Sequence, residues 1–437
     1  MLLSIIVTVY NVEKYIKECL NSIITEDCSD YEIIIVDDGS YDESLHICRQ
    51  YEIKYPRIIR LYSLSSPGKL GRAHAFGFNK AKGKYIQFVD GDDFLEQFAV
   101  ENILKIIKEN DMDVVMGSFK CFLEEGATAL RDAKFDKEII NNLSYNRFLK
   151  YIIELPSFHM VFVRYIFKKS IIKRKNLFFS EVEHYVTTND WLPSVKILTM
   201  ANSVYYMDGV FYNYRRRTGS VTSRLTKSHY TDHFLTLLEI IVYLSSIEVD
   251  KIKEEYVFSR IELMLEISFS GMDNLGLEEW NKIFSAFEKN MQKLDVLKNS
   301  KNAKLIKFFT FIERLGLKKG MLMYGEEEQI NHLKIIKDNY KKDIYIFPVG
   351  IKSQAIARCL KEYDINVVGF LDNDNTKWNN EYFNIPCFNP NIILKMSKYQ
   401  KDNTIIYIAP LYSSLSSVLK NQILEYDFIE KNIIIEK

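Results

Sequence analysis

Residues 85–93 read Tyr-Ile-Gln-Phe-Val-Asp-Gly-Asp-Asp, an apolar strand that runs directly into Asp90, Asp92 and Asp93. A strand end is rigid, so Asp90 and Asp92 are held close together on one lip of a sheet. Crowded carboxylates repel unless a cation lies between them. Hard oxygen ligands of this kind suit Mg²⁺ or Mn²⁺, which commonly bridge substrate phosphates. The pattern therefore points to metal-assisted reaction of a phosphorylated donor. The competing reading is an acidic turn that caps the next helix, as short Asp-rich turns often do.

The elements that must position these carboxylates follow from the apolar runs. Residues 32–40 read Glu-Ile-Ile-Ile-Val-Asp-Asp-Gly-Ser, a second strand ending in carboxylates, Asp37 and Asp38. The chain opens the same way, with residues 2–9 leading to Tyr10 and Asn11. Helical stretches are expected near 12–25, 41–54 and 70–82. Continuous Val/Ile runs alternating with helices predict an α/β fold with a mostly parallel sheet and helices on both faces. In such sheets ligands bind outside the carboxyl ends of the strands, and the acidic turns all lie on that edge.

Composition narrows the class. The 437 residues are enough for two or three domains, and 47% hydrophobic with 27% charged residues is an ordinary globular balance. Lys+Arg and Asp+Glu are both 58, so no nucleic-acid partner is expected. The six cysteines are scattered without a CxxC pair or zinc-type spacing, which fits reduced, buried thiols in a cytoplasmic protein. The apolar opening lacks a basic n-region and breaks at Asn11, so it reads as a strand and not as an export signal. No run approaches the roughly 18 uninterrupted apolar residues of a membrane-spanning helix.

Further along, 145–225 is mixed, and about 229–340 is helical in character with few Gly or Pro. Residues 301–319 alternate Lys/Arg with Leu, Ile and Phe. Such a stretch suits either peripheral contact with an anionic membrane surface or a packed helix with a charged outer face. At Asp343 an α/β pattern restarts, with strands at 344–347, 366–371 and 404–409 and a helix at 353–363. This predicts a small Rossmann-like unit. Its glycine fingerprint is degraded: only Gly350 remains, with Pro348 and Ser353 in the outer positions. Pro has no N–H to offer a phosphate. Asp372 nevertheless stands at the end of the second strand, where a ribose-binding acid would sit. A structural or partner-docking module is the favoured reading, with a homo-oligomer or a glycan-assembly partner as its expected contact.

Taken in order, Ser4–Asn11, Val36-Asp-Asp-Gly-Ser40, Asp90-Gly-Asp92 and the Tyr/Arg-rich segment Phe211–Ser220 resemble the motifs of inverting, family-two glycosyltransferases with a GT-A fold. The resemblance covers about 1–225. It implies three domains: a catalytic GT-A domain at 1–225, a helical linker or insert at 226–340, and the Rossmann-like domain at 341–437. It further implies a nucleoside-diphosphate-sugar donor, with UDP the expected carrier, and a carbohydrate or lipid-linked glycan acceptor in surface polysaccharide synthesis. Many bacterial members work at the inner face of the cell membrane, so the resemblance implies a cytoplasmic protein, with peripheral contact at that face as a second option.

By that resemblance Thr8, Tyr10 and Asp38 line the base and ribose site, Tyr10 stacking on the base and Asp38 accepting hydrogen bonds from its edge. Asp90 contacts the ribose or metal region and Asp92 ligates Mn²⁺ or Mg²⁺. Arg72 binds the diphosphate or positions Asp90. Asp190 in Thr188-Asn-Asp-Trp191 takes the place of the family's catalytic base, with Glu183 as the backup and Asn189 where a Glu is usual. An Asp there also reads as the N-cap of a helix beginning at Trp191. Trp191 offers a sugar-stacking platform. Arg215 and Arg217 suit contacts to the diphosphate or acceptor, since guanidinium forks match phosphate oxygens; a solvated basic face is the other reading. His74 reads as a packed helix histidine. Asn189 and the worn fingerprint also fit a catalytically degenerate module that binds carbohydrate or a partner.

Overall fold

A computed structural model describes residues 1–26, 29–65, 70–123, 128–131, 137–154, 161–172, 190–216, 227–270, 272, 275–325, 342–350, 353–354, 356–357, 360, 365–382, 384–409 and 415–435. The chain divides into two units. The first comprises Met1–Tyr151, Phe158–Asp232 and Glu248–Val257; the second comprises Ile152–Ser157, His233–Ile247 and Phe258–Lys437.

The first unit is built on a nine-stranded sheet. Its strands are β1 (Leu3–Val9), β2 (Tyr31–Asp37), β3 (Ile59–Ser63), β4 (Tyr85–Asp90), β5 (Phe94–Leu95), β6 (Val114–Leu123), β7 (Thr128–Arg131), β8 (Tyr165–Lys168) and β9 (Val204–Arg216). Their order is β3-β2-β1-β4-β8-β6-β9-β5, with β7 beside β6. The first four strands are parallel, as the apolar runs predict, and β9 is parallel to β6. The short β8 lies antiparallel between β4 and β6. Every residue of β1 and β2 is buried, so both faces of these strands are covered. The intervening helices are Ile16–Ile23, Ser44–Lys54 and Leu70–Lys80. The first presents Ile16, Cys19, Leu20 and Ile23 to the interior at helical spacing.

Parallel register brings the functional edge into line. Thr8 of β1 pairs with Val36 of β2 and with Asp90 of β4. Three strand ends, with the turns that follow them, thus open at one level. The turn after β4 does not cap the next helix, Ala99–Glu109, whose N-cap is Phe98. It leads instead into β5, which pairs with β9.

The second unit contains helices Leu277–Lys289 and Ala303–Leu315 and a six-stranded sheet. Helix Ala303–Leu315 buries Leu305, Phe308, Phe309 and Ile312. Phe308 packs edge-on against Phe269 and Tyr324, at 5.9 and 5.3 Å between ring centres. The helix is capped by the Asn302 side chain, and Lys304 pairs with Glu266. The apolar face of the basic stretch is therefore occupied inside its own unit, which is the packed-helix alternative. Among the described residues no helix is long and apolar enough to cross a membrane.

The C-terminal sheet comprises β10 (Asp343–Phe347), β11 (Val367–Leu371), β12 (Glu381–Tyr382), β13 (Ile385–Phe388), β14 (Thr404–Ile408) and β15 (Ile433–Ile435), ordered β12-β13-β11-β10-β14-β15. All neighbours are parallel except β12 and β13. This is the Rossmann-like arrangement expected from the restart at Asp343.

One core position departs from the apolar rule. Gln87 of β4 is fully buried, paired with Ile5 on one side and Ile166 on the other, and neither end of its amide has a hydrogen-bond partner. A buried amide without partners costs free energy that an apolar side chain of similar volume does not. Gln87→Leu is expected to raise the unfolding free energy by about 1–3 kcal/mol in urea titration; an unchanged or lower midpoint at constant slope would contradict this account.

Candidate active site

The β1 and β2 ends form one wall. Thr8 is buried and its hydroxyl donates to Asp90 Oδ1 at 3.0 Å. Asp37 is spent on the turn it opens: its carboxylate accepts from Gly39 N–H and Ser40 N–H, each at 3.3 Å, and from the Ser63 hydroxyl at 3.0 Å. Gly39 takes φ +81°, a conformation that favours glycine. Asp38 is buried beside the end of β1, its N–H donating to the Val9 carbonyl at 2.8 Å. Asn11 adopts φ +49°, which Asn tolerates better than most residues. Its side chain accepts from Tyr41 N–H at 3.0 Å, and its own N–H donates to Ser40 Oγ at 3.1 Å. These ties join the two loops and set exposed Tyr10 edge-on to exposed Tyr41, with ring centres 6.3 Å apart.

The Asp90–Asp93 turn splits one residue type into two environments. Asp90 and Asp92 keep part of their surface at solvent, whereas Asp93 is buried. Gly91 lies against β1: its N–H donates to the Thr8 carbonyl at 2.8 Å, and a β-carbon there would meet that same oxygen at 2.8 Å. The middle residue of the motif is thus confined to glycine by close approach. Asp93 Oδ2 accepts from the Tyr212 hydroxyl and Oδ1 from the Arg215 N–H, both at 2.7 Å. Burial, then Asp92 and Asp90, hold its carboxyl well above the usual range, against the pull of those two donors. Burial and the same three carboxylates also raise the Cys19 thiol behind the turn. The corner therefore carries a concentrated negative potential.

Asp190 precedes helix Trp191–Met200, and its side chain makes no capping bond. Burial, and next the charge of Asp90, push its carboxyl up to about 7; the Phe162 backbone N–H acts in the opposite direction. Asp90 and Asp190 thus belong to one electrostatic site although the sequence separates them widely. Trp191 is partly exposed at the helix start. Arg72 is exposed on helix Leu70–Lys80. On the same helix His74 is buried, edge-on to Phe88 and Phe162 at 4.9 and 5.6 Å, with Nε2 3.9 Å from Asp90 Oδ1. Arg215 is 7% exposed. Its Nε donates to the Asp92 carbonyl at 2.8 Å, and its guanidinium pairs with Glu18. That geometry is not the solvated basic face of the alternative reading. Glu183 and Arg217 lie outside the described residues.

Asp93, Tyr212 and Glu18 were not singled out from the sequence. Asp93 adjoins the motif, but nothing in a run of aspartates marks which one is buried. Tyr212 is one of 28 tyrosines, and only the β9 pairing brings it to the turn.

At the corresponding edge of the C-terminal sheet, polar groups among the described residues bond one another. Asp372 is buried, and its Oδ2 accepts from Val349 N–H at 3.0 Å and from Lys377 Nζ at 2.9 Å. Gly350 N–H donates to Ser353 Oγ at 2.6 Å. The groups that would meet a ribose and a phosphate are already engaged with one another.

Comparison with known proteins places this geometry. The model of glycosyl transferase family 2 matches residues 4–173. Glycosyltransferase GlyA of Streptococcus pneumoniae is 29% identical over 300 residues, covering 68% of this chain and 41% of the relative. The poly(ribitol-phosphate) beta-glucosyltransferase of Bacillus spizizenii is 30% identical over 215 residues, covering 47% of this chain and 32% of the relative. The chain thus spans less than half the length of these two relatives. The crystal structure of S. aureus TarS 1-349 in complex with UDP-GlcNAc shares the fold, with a TM-score of 0.55 at 20% identity, covering 76% of this chain and 92% of that one. Residues 4–173 thus match the model of glycosyl transferase family 2, and the fold is the GT-A fold shared with the TarS structure.

Proposed function

We propose that the chain transfers a sugar from a nucleoside-diphosphate-sugar, with UDP as carrier, to a carbohydrate acceptor of a bacterial surface glycan, with inversion at the anomeric carbon. The observation that carries this reading is the electrostatic coupling of Asp190 to the strand-end aspartates. It sets a carboxyl poised near neutral pH beside an acidic corner. The family-model match over residues 4–173, the poly(ribitol-phosphate) relative and the UDP-GlcNAc complex of a protein with the same fold support the substrate class.

The corner fits a divalent cation. Asp90 and Asp92 offer hard oxygen donors, and the charge of the turn raises the carboxyls of Asp93 and Asp190 and the thiol of Cys19. Among the described residues no three His, Cys, Asp or Glu side chains converge as a complete protein cage. Mg²⁺ or Mn²⁺ held by one or two carboxylates, with donor phosphate oxygens and water completing the shell, matches that donor set. In this reading Asp92 would be the direct ligand, and a bound cation would supply Lewis-acid stabilisation of the departing diphosphate.

The chain's own residues do the rest. Tyr10 stacks on the base and Asp38 accepts hydrogen bonds from its edge. Thr8 orients Asp90 toward the ribose. Arg72 reaches the diphosphate from its exposed helix. Asp190 takes the acceptor's hydroxyl proton as that oxygen bonds to the anomeric carbon, while the bond to the diphosphate breaks on the opposite side. Trp191 offers a flat apolar face to the acceptor sugar, and Glu183 and Arg217 are further candidates for acceptor and diphosphate contacts. Residues 1–225 carry the reaction, 226–340 form a helical linker or insert, and 341–437 form a structural or docking module. On this reading the reaction runs in the cytoplasm, where an acceptor at the inner face of the cell membrane is within reach.

Three outcomes test this. In a thermal-shift screen of UDP-, GDP- and dTDP-sugars, UDP-sugars should stabilise the chain only when Mn²⁺ is present, because ligands that bind the native state raise its apparent stability; no stabilisation by any donor would defeat the proposal. Asp92→Asn should remove the Mn²⁺-dependent part of that shift. Asp190→Asn should keep UDP binding and lose about 10²–10⁴-fold in transfer rate. Since Asp190 acts as its ionised form, wild-type kcat/KM should fall as pH drops through about 7, and a profile flat from pH 5 to 9 would remove Asp190 from the role.

A further inference from the structure

Behind the Asp90–Asp92 turn lies a buried network that the proposed chemistry does not use. The Tyr212 hydroxyl donates to Asp93 Oδ2 at 2.7 Å and accepts from Asp90 N–H at 3.1 Å. Asp93 Oδ1 accepts from Arg215 N–H at 2.7 Å. Arg215 Nε donates to the Asp92 carbonyl at 2.8 Å. The guanidinium also pairs with Glu18, on the helix that follows the Tyr10–Asn11 loop, and lies over the rings of Tyr15 and Phe94 at 4.9 and 5.3 Å. Toward the turn these bonds reach the backbone of Asp90 and Asp92 and the carboxylate of Asp93. The Asp90 carboxylate takes the Thr8 hydroxyl instead, and Asp90 and Asp92 both keep part of their surface at solvent.

The geometry points to Tyr212 and Arg215 as positioning residues, a latch that fixes where the Asp90 and Asp92 carboxylates stand and so prepares them for a cation-bound diphosphate. This inference rests on the donor reading above. Like charges on one short turn drive it apart, and a site that must wait for its ligand to gather it loses affinity to that reorganisation. Here the gathering is done from behind. The Tyr212 hydroxyl bridges the first carboxylate's backbone to buried Asp93, and Arg215 Nε holds the carbonyl of the second. The same guanidinium ties the turn to the helix after β1, so the two donor-facing loops are fixed to each other by one side chain.

Tyr212→Phe deletes the bridge at nearly constant volume. Arg215→Lys keeps a cation for Glu18 but removes the Nε donor to Asp92. The test is calorimetric titration of UDP into the full chain, with saturating Mn²⁺ and again with EDTA, beside the thermal melt of each unliganded variant. In wild type, Mn²⁺ should tighten UDP binding. In both variants that Mn²⁺-dependent gain should shrink by about 10- to 100-fold, the usual effect of removing partners that orient metal ligands. In Tyr212→Phe, affinity in EDTA should stay unchanged, as should kcat measured at saturating donor and Mn²⁺. A full Mn²⁺-dependent gain in Tyr212→Phe would overturn the latch alone. So would an equal loss in EDTA, which would mark the network as general support for the fold. No Mn²⁺-dependent gain in wild type would overturn both the latch and the donor reading. Should Arg215→Lys not fold, Tyr212→Phe decides the matter by the same readings.

Discussion

Mutual repulsion among carboxylates at the end of β4 is the constraint around which the first unit is organised. Two unit charges about 4 Å apart interact by roughly 4 kcal/mol at an effective dielectric near 20, a large fraction of the net stability of a typical domain. A fold that keeps several such groups on one turn must hold them by other means. It does so with a central parallel strand, a hydroxyl from the neighbouring strand on Asp90, and a buried third aspartate bound to β9. The same repulsion reaches outward to Asp190 and inward to Cys19. One electrostatic feature thus links the strand end to a carboxyl far along the chain.

Burial assigns different tasks to chemically identical residues. Asp37 and Asp93 are the inner members of their acidic turns, and both are consumed by hydrogen bonds that shape those turns. Asp90 and Asp92 remain partly exposed at the sheet edge. A carboxylate facing inward from a strand end is retained only where donors satisfy it, and one facing outward is available to a ligand. Gly91 belongs to the same arrangement, because any side chain at that position would collide with the backbone of β1.

Much of this organisation is legible in the sequence. The parallel strands β1, β2 and β4 announce themselves as unbroken apolar runs, and their polar ends mark the functional edge. The insertion of β8 between β4 and β6 is not legible. It is four residues long and joins the sheet far from its sequence neighbours. For Asp190 the sequence offers two readings, cap and base; it stands at the N-cap position without a side-chain capping bond and feels the charge of Asp90, neither of which a local pattern announces. Arg215 is conspicuous by type within an arginine run, but its burial depends on Tyr15, Glu18 and Phe94, which no local pattern connects to it.

The C-terminal sheet shows the same edge put to the opposite use. Its first turn and the acid at the end of its second strand stand where a nucleotide would be received, yet Asp372 is bonded to Val349 and Lys377, and the Ser353 hydroxyl meets the Gly350 amide. A ligand there would have to displace bonds already made in a buried setting and replace each of them. At β4, Asp90 takes the Thr8 hydroxyl, yet Asp90 and Asp92 both keep part of their surface at solvent, with their turn bonded from behind by Tyr212 and Arg215. The second sheet thus keeps the topology of a binding fold while the acid at the end of its second strand is buried and satisfied by its own donors, whereas the first sheet leaves two of its turn acids in contact with solvent.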